Sequence, residues 1–102
     1  MDSGFVYHIT TPTQWAEALA AGEYRADTLA TEGFMHCSTL DQVEGVLGRY
    51  YAQAPSLLRL KIEREKVVPP LVFELAGSID EVFPHIHGPL NLDAVVAVET
   101  IR

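Results

Sequence analysis

Residues 5–14, FVYHITTPTQ, decide the fold, because they hold a strand and the start of a helix with a sharp boundary between them. Phe5–Thr10 combines aromatic and β-branched residues, which is typical of a β-strand. Thr11 can cap a helix that begins at Pro12, where the missing amide costs nothing, and Gln14 can bond back to the cap. The chain therefore opens with a strand that leads directly into a short helix of about two turns.

A second strand and helix follow the same logic. Residues 33–37, GFMHC, predict the strand, and Ser38 is the predicted N-cap of the helix, with Asp41 close to the exposed amides of its first turn. The apolar residues behind this cap repeat at the spacing of one helix face: Val43, Val46, Leu47, Tyr50 and Tyr51. This is the longest helix that the sequence predicts.

The remainder of the chain predicts mostly strands. Alternating apolar residues predict a strand over 56–62, and β-branched or aromatic runs predict strands over 71–75 and 94–101. Residues 78–92 contain the segment PHIHGP, whose two prolines and glycine predict an ordered loop. Because the helices come early and the strands late, we expect an α+β fold with antiparallel or mixed pairing rather than a doubly wound sheet.

Length and charge restrict the class of protein. A chain of 102 residues is expected to form a single domain, residues 1–102. The net charge is −7, with 14 acidic and 7 scattered basic residues, which argues against a nucleic-acid partner. No stretch approaches the roughly 20 apolar residues that span a bilayer. The start of the chain shows no secretory signal and Cys37 is its one cysteine, so we expect a cytoplasmic protein.

All four histidines lie where predicted extended backbone gives way to a turn or a helix. Histidine titrates near neutrality and binds polarised groups, so we expect one pocket that gathers the three histidine segments. Amides at the two helix starts would hold phosphate. The candidate catalytic residues are His8, His36, Glu74 and His85. The candidate ligand-binding residues are Thr10, Ser38 and His87.

A carboxylate is expected to assist the histidines, and Glu74 is preferred to Glu81. Glu74 lies within a predicted strand, which positions a side chain better than a loop does. Partial desolvation beside histidines would tune this acid toward acid–base work at neutral pH. Glu81 is expected to be a solvated loop residue.

Three further residues are assigned to the core. Trp15 and Phe73 are large apolar rings, and Cys37 faces away from its neighbour His36 because adjacent strand residues point to opposite sides. A buried structural cysteine is therefore preferred to a nucleophile paired with His36.

The histidine segments resemble a small bacterial family catalogued as domain of unknown function 952. The resemblance covers nearly the whole chain and includes Trp15 and residues 22–24, although the family usually has Tyr where this chain has His87. The family has been likened to the ADP-ribosyltransferase fold, a split antiparallel sheet with a cleft for NAD. The resemblance implies that His8 holds the nicotinamide ribose, that residues 36–39 supply the second motif, and that Glu74 or the His85 segment supplies the third.

These observations lead to one hypothesis and two alternatives. The hypothesis is a histidine pocket that binds a nucleotide or an ADP-ribose-like ligand, with glycosyl or ADP-ribosyl transfer or hydrolysis as its reaction. NAD or ADP-ribose is the candidate ligand, and no further cofactor is assigned. The first alternative is a non-catalytic protein-interaction module that presents PHIHGP as a rigid surface. The second is a metal site built from His8, His36 and one of His85 or His87.

Overall fold

A computed structural model describes residues 4–75 and 80–102 of the chain. The strands are β1 (Phe5–Thr10), β2 (Glu23–Tyr24), β3 (Met35–His36), β4 (Leu58–Glu63), β5 (Leu71–Leu75), β6 (Val82–Ile86), β7 (Leu90–Asn91) and β8 (Val95–Thr100). The α-helices are α1 (Pro12–Ala21), α2 (Asp27–Glu32) and α3 (Val43–Tyr50), and short 3₁₀ turns cover Leu40–Gln42, Arg64–Lys66 and Leu92–Ala94. The α+β class predicted from the order of elements is confirmed.

The strands form two three-stranded sheets and one short pair. The sheet orders are β1-β4-β8, β3-β6-β5 and β2-β7, and the pairs are antiparallel throughout the described residues. One isolated bridge joins the two larger sheets, where Tyr7 and Ser38 exchange two backbone hydrogen bonds of 2.7 Å. The sheets therefore meet along a short seam beside β1 and separate beyond it.

Strand β1 is buried on both faces. Val6 packs into the larger core cluster, together with Leu60 of β4, whereas Tyr7 and Ile9 pack on the opposite side against α3. Alternate residues of a strand point to opposite faces, so His8 shares the Val6 side. This double burial explains why the β1 sequence is almost continuously apolar.

The first helix confirms its predicted cap. Thr11 accepts a 3.2 Å hydrogen bond from the Gln14 amide, and Pro12 occupies the first turn. The helix has ten residues and ends at Gly22, so it is longer than the two turns predicted. The Gln14 side chain does not return to the cap, because it contacts Thr10 instead.

The second predicted cap is wrong. Ser38 is held by its backbone bridge to Tyr7, and Thr39 caps the turn that precedes α3. Gln42 completes a reciprocal capping box with Thr39, since its side chain accepts a 3.0 Å bond from the Thr39 amide. The bridge fixes Ser38 in extended backbone, so the cap moves one residue along the chain.

The loop predicted over residues 78–92 is also wrong for its described part, residues 80–92, which contain β6 and β7. Pro84 lies inside β6, the central strand of its sheet. A proline removes a donor but keeps its acceptor, and the Pro84 carbonyl accepts a 2.9 Å bond from Cys37. Ser78 lies outside the described residues.

The three core assignments have different outcomes. Trp15 packs against the main core, and Cys37 is buried, as predicted. Phe73 is 40% exposed and lies 5.0 Å below the Arg64 guanidinium, so its core assignment is wrong.

In the described part of the chain, no helix is both long enough and apolar enough to cross a membrane.

Candidate functional site

Four rings from two segments gather on one face of the sheet β3-β6-β5. His36 pairs with His85 in the β3–β6 register, and their ring centroids lie 5.0 Å apart at 78°. Phe34 stacks on His85 at 4.2 Å and 19°, and contacts His87 at 5.3 Å. We call Phe34, His36, His85 and His87 the ring cluster. Strand pairing thus unites two of the three predicted histidine segments.

Glu74 joins the ring cluster from the neighbouring strand β5. Its Oε1 atom accepts hydrogen bonds from His85 Nδ1 and His87 Nε2, each 2.8 Å long. The hydrogen bonds from His87 and from His85 hold the pKa of the Glu74 carboxyl below its usual value. Glu74, the acid preferred to Glu81, therefore lies beside two of the histidines, but the expected shift of its pKa toward neutrality is wrong. The Glu74 side chain is 37% exposed, and the two histidine donors stabilise its charged form, which lowers the pKa.

His85 has an unusual hydrogen-bonding state. A carboxylate only accepts, so His85 Nδ1 carries the proton that it shares with Glu74, and Nε2 of the neutral ring presents a lone pair. The residue is 2% exposed, and its Nε2 atom is buried with no hydrogen-bond partner within the described residues. Buried polar atoms are nearly always paired, so this acceptor requires an explanation.

His36 forms the outer wall of the ring cluster. Its side chain is 47% exposed, and Nε2 donates to Glu32 Oε1 across 3.1 Å. Helix α2 delivers this carboxylate, because Glu32 is its last residue. The cluster therefore lies between two acidic side chains, Glu32 and Glu74.

His8 lies apart from the ring cluster and contacts it through backbone. His8 Nδ1 donates to the His36 carbonyl oxygen at 2.6 Å, and Nε2 accepts from the Tyr24 hydroxyl at 2.8 Å. Burial lowers the pKa of His8 to about 4, so the ring is neutral at physiological pH. With both nitrogens engaged, His8 orients the His36 segment.

Thr10 belongs to the same buried network as His8. Its hydroxyl oxygen lies 2.9 Å from the Tyr24 hydroxyl and 3.1 Å from Gln14 Oε1. The network continues to the surface, where Gln14 Nε2 lies 3.5 Å from Asp27. Thr10 is 1% exposed, so the structure places it inside the protein, away from the ring cluster.

The predicted phosphate site at the second helix start is not formed. Ser38 is buried, and the capping box occupies amides of the turn before α3. Glu81 accepts a 3.0 Å bond from Gln42 Nε2 there. Of the two candidate acids, Glu74 is therefore the one that contacts histidines.

The geometry also bears on three other expectations. Burial raises the pKa of Cys37 to about 12, which leaves an unreactive thiol, as predicted. His85 and Ile86 are buried, so PHIHGP does not form the exposed recognition surface of the first alternative. Within the described residues, no group of three His, Cys, Asp or Glu side chains could hold a metal ion. The second alternative, a metal site built from histidines, therefore has no support in the geometry.

Two site residues had no assigned role in the sequence. Phe34 could have been found, because it precedes His36 by two residues and so shares its strand face. Tyr24 gave no such signal, since it reaches His8 only through the folded arrangement of β2 and β1.

Comparison with known proteins gives a family and a fold. The sequence model of the family described as protein of unknown function (DUF952) matches residues 9–98. The crystal structure of the protein CC0527 from Caulobacter crescentus superposes with a TM-score of 0.82 at 26% identity, covering 94% of this chain and 84% of that one. The crystal structure of its double mutant gives 0.81 at 26% identity with the same coverage. None of the curated proteins matches the chain.

Proposed function

We propose that this chain, which belongs to the DUF952 family, binds a nucleotide or an ADP-ribose-like ligand at the ring cluster. The observation that carries the proposal is the buried, unpartnered Nε2 atom of His85. A ligand N–H or O–H group would supply the missing donor. A planar base would stack on Phe34 or His36, as nucleobases stack on aromatic side chains in general.

The arrangement of the sheets supports the proposed likeness to the ADP-ribosyltransferase fold. Two antiparallel sheets meet at the single bridge between Tyr7 and Ser38, which is a form of split sheet. His8 and His36 lie at this seam. In the proposal, His8 does not touch the ribose itself but positions His36, which does.

The charge of the site favours the nicotinamide end of NAD. Glu32 and Glu74 flank the ring cluster, and the whole chain carries a charge of −7. These carboxylates would attract a cationic pyridinium ring and repel a pyrophosphate, so NAD would enter the ring cluster by its nicotinamide end and keep its pyrophosphate outside. The proposed reaction is therefore glycosyl transfer or hydrolysis at the ribosyl–nicotinamide bond.

Calorimetric titration with NAD and with ADP-ribose tests the proposal. Phe34→Ala should weaken NAD binding about 5- to 150-fold, because stacking on an aromatic side chain contributes about 1–3 kcal/mol. His36→Ala should also weaken it.

Phe73→Ala is the matched control. Like Phe34→Ala, it removes a phenyl ring. This ring lies on the side of strand β5 opposite to Glu74, where Phe73 contacts Arg64. Its NAD affinity should equal that of the wild type. If neither nucleotide gives heat with the wild type, the proposal is refuted.

A non-catalytic interaction module is the second candidate, and a different surface favours it. Edge strand β5 and its neighbour β6 expose Phe73, Leu75 and Val82 on the face opposite to Glu74, with Leu75 at 62% and the other two at 40% or more. If the chain is such a module, Leu75→Lys should abolish binding of a partner protein. Calorimetric titration of the wild type with NAD or ADP-ribose should then give no heat.

A further inference from the structure

We infer that His85 is the catalytic base of the ring cluster and that Glu74 is its positioning residue. The inference rests on the proposed function, which names the ligand and the bond that breaks, and adds the group that accepts the proton.

The Glu74–His85 contact has the geometry of a carboxylate that directs an imidazole. Oε1 accepts from Nδ1 at 2.8 Å, which fixes the tautomer and leaves the lone pair on Nε2. The same carboxylate would stabilise the imidazolium that forms when Nε2 takes a proton. His87 donates to the same Oε1 atom, so the carboxylate is held by two donors, one within β6 and one just after its end.

The lone pair on His85 Nε2 is not used by another group in the described part of the chain. This Nε2 atom makes no hydrogen bond within the described residues and is closed to solvent, so no internal group competes for the lone pair. His36 is the exposed ring beside it, at 5.0 Å between centroids. A shift of the exposed His36 ring as it contacts the ligand would open the edge of the His85 ring to a water molecule.

A site that offers a proton acceptor to the attacking water suits a leaving group that needs no proton. Water attacks C1′ of the ribose as the bond from C1′ to the pyridinium nitrogen breaks, and that electron pair leaves with nicotinamide, which becomes neutral. The proton of the attacking water passes to His85 Nε2 and then to solvent. Glu32 and Glu74 lie near the ribosyl group, where positive charge develops in the transition state.

The first test uses the free protein and needs no ligand. Two-bond ¹H–¹⁵N NMR correlations report the tautomer of each histidine ring. We expect the neutral ring of His85 to carry its proton on Nδ1. A proton found on Nε2 of the neutral ring would overturn the inference, because that atom could not then act as the base.

The second test compares Glu74→Gln with the matched control Glu81→Gln. The glutamine can still accept from His85 but cannot stabilise its imidazolium, so kcat for release of nicotinamide from NAD should fall roughly 10²- to 10⁴-fold. KM should change far less than kcat, because only one of the two carboxylates that attract the pyridinium ring is lost. Glu81 bonds to Gln42 and contacts no ring of the cluster, so its variant should retain wild-type kcat.

His85→Ala gives an independent check. Loss of the ring should abolish turnover, and added imidazole should restore part of it by occupying the vacated space. If NAD binds to the wild type but no nicotinamide is released, the inference is refuted while the binding proposal stands. If NAD does not bind at all, the proposed function fails first.

Discussion

The buried ring of His8 should make folding stability fall between pH 7 and pH 5. Burial lowers the pKa of His8 from 6.5 to about 4, whereas the unfolded chain restores the ordinary value. A lowered histidine pKa means that the unfolded state binds the proton first, so stability is lost as the pH falls through 6.5 toward 4. The full difference amounts to about 3 kcal/mol, of which about 2 kcal/mol is lost between pH 7 and pH 5.

Urea unfolding followed by Trp15 fluorescence at pH 7 and pH 5 measures this loss. His8→Gln removes the titration, so the wild type should lose about 2 kcal/mol more than the variant over this range. The lowered pKa values of Glu74 and Glu99 act in a lower window, since those groups protonate below about 4.5.

Tyr24→Phe is the control, because it keeps the His8 ring and removes only the hydroxyl at its Nε2. It should cost about 1–3 kcal/mol at pH 7, the range for an unsatisfied buried acceptor, and retain a pH dependence. Equal pH dependence in the wild type and in His8→Gln would refute the reasoning.

Three further predictions concern stability and reactivity. A Cβ at Gly88 would lie 2.8 Å from the Pro69 Cβ, so Gly88→Ala should cost about 1–3 kcal/mol in urea unfolding, whereas Gly48→Ala, in open space on α3, should gain about 0.5–1 kcal/mol. The Cys37 thiol should not react with a disulfide reagent at pH 8 until urea unfolds the chain, and fast labelling of the native protein would contradict its burial. Thr11→Ala should cost about 1 kcal/mol by removing the α1 cap, and an unchanged unfolding midpoint would show that this cap contributes little.

Local sequence patterns predicted the elements whose stability is local. The strands β1 and β5 and the start of α1 lie where aromatic, β-branched and capping residues indicated them, to within a residue. Strand β6 was missed because Pro84 resembles a loop signal. Its place in the centre of a sheet depends on a long-range partner, the Cys37 amide, which local composition does not reveal.

The same distinction applies to the candidate site. The sequence favoured Glu74 because it lies in a strand, whereas its contact with His85 depends on β5–β6 pairing and that of His36 with His85 on β3–β6 pairing. The separate position of the His8 ring could not be predicted, since it depends on the Tyr24 hydroxyl, sixteen residues away. Sequence patterns therefore indicated which residue types take part, and only the packing of the sheets decided which of them are in contact.

The position of His8 at the seam explains why a buried imidazole occurs there, although it lowers the folding stability at low pH. Strand β1 pairs with β4 along one edge, and on the other edge Tyr7 forms the backbone bridge to Ser38. Next to that bridge, the His36 carbonyl accepts a 2.6 Å hydrogen bond from the His8 side chain. A side chain thus extends the seam by one hydrogen bond at the point where the sheets separate. The orientation of the β3 segment, and with it the outer wall of the ring cluster, depends on this single neutral histidine.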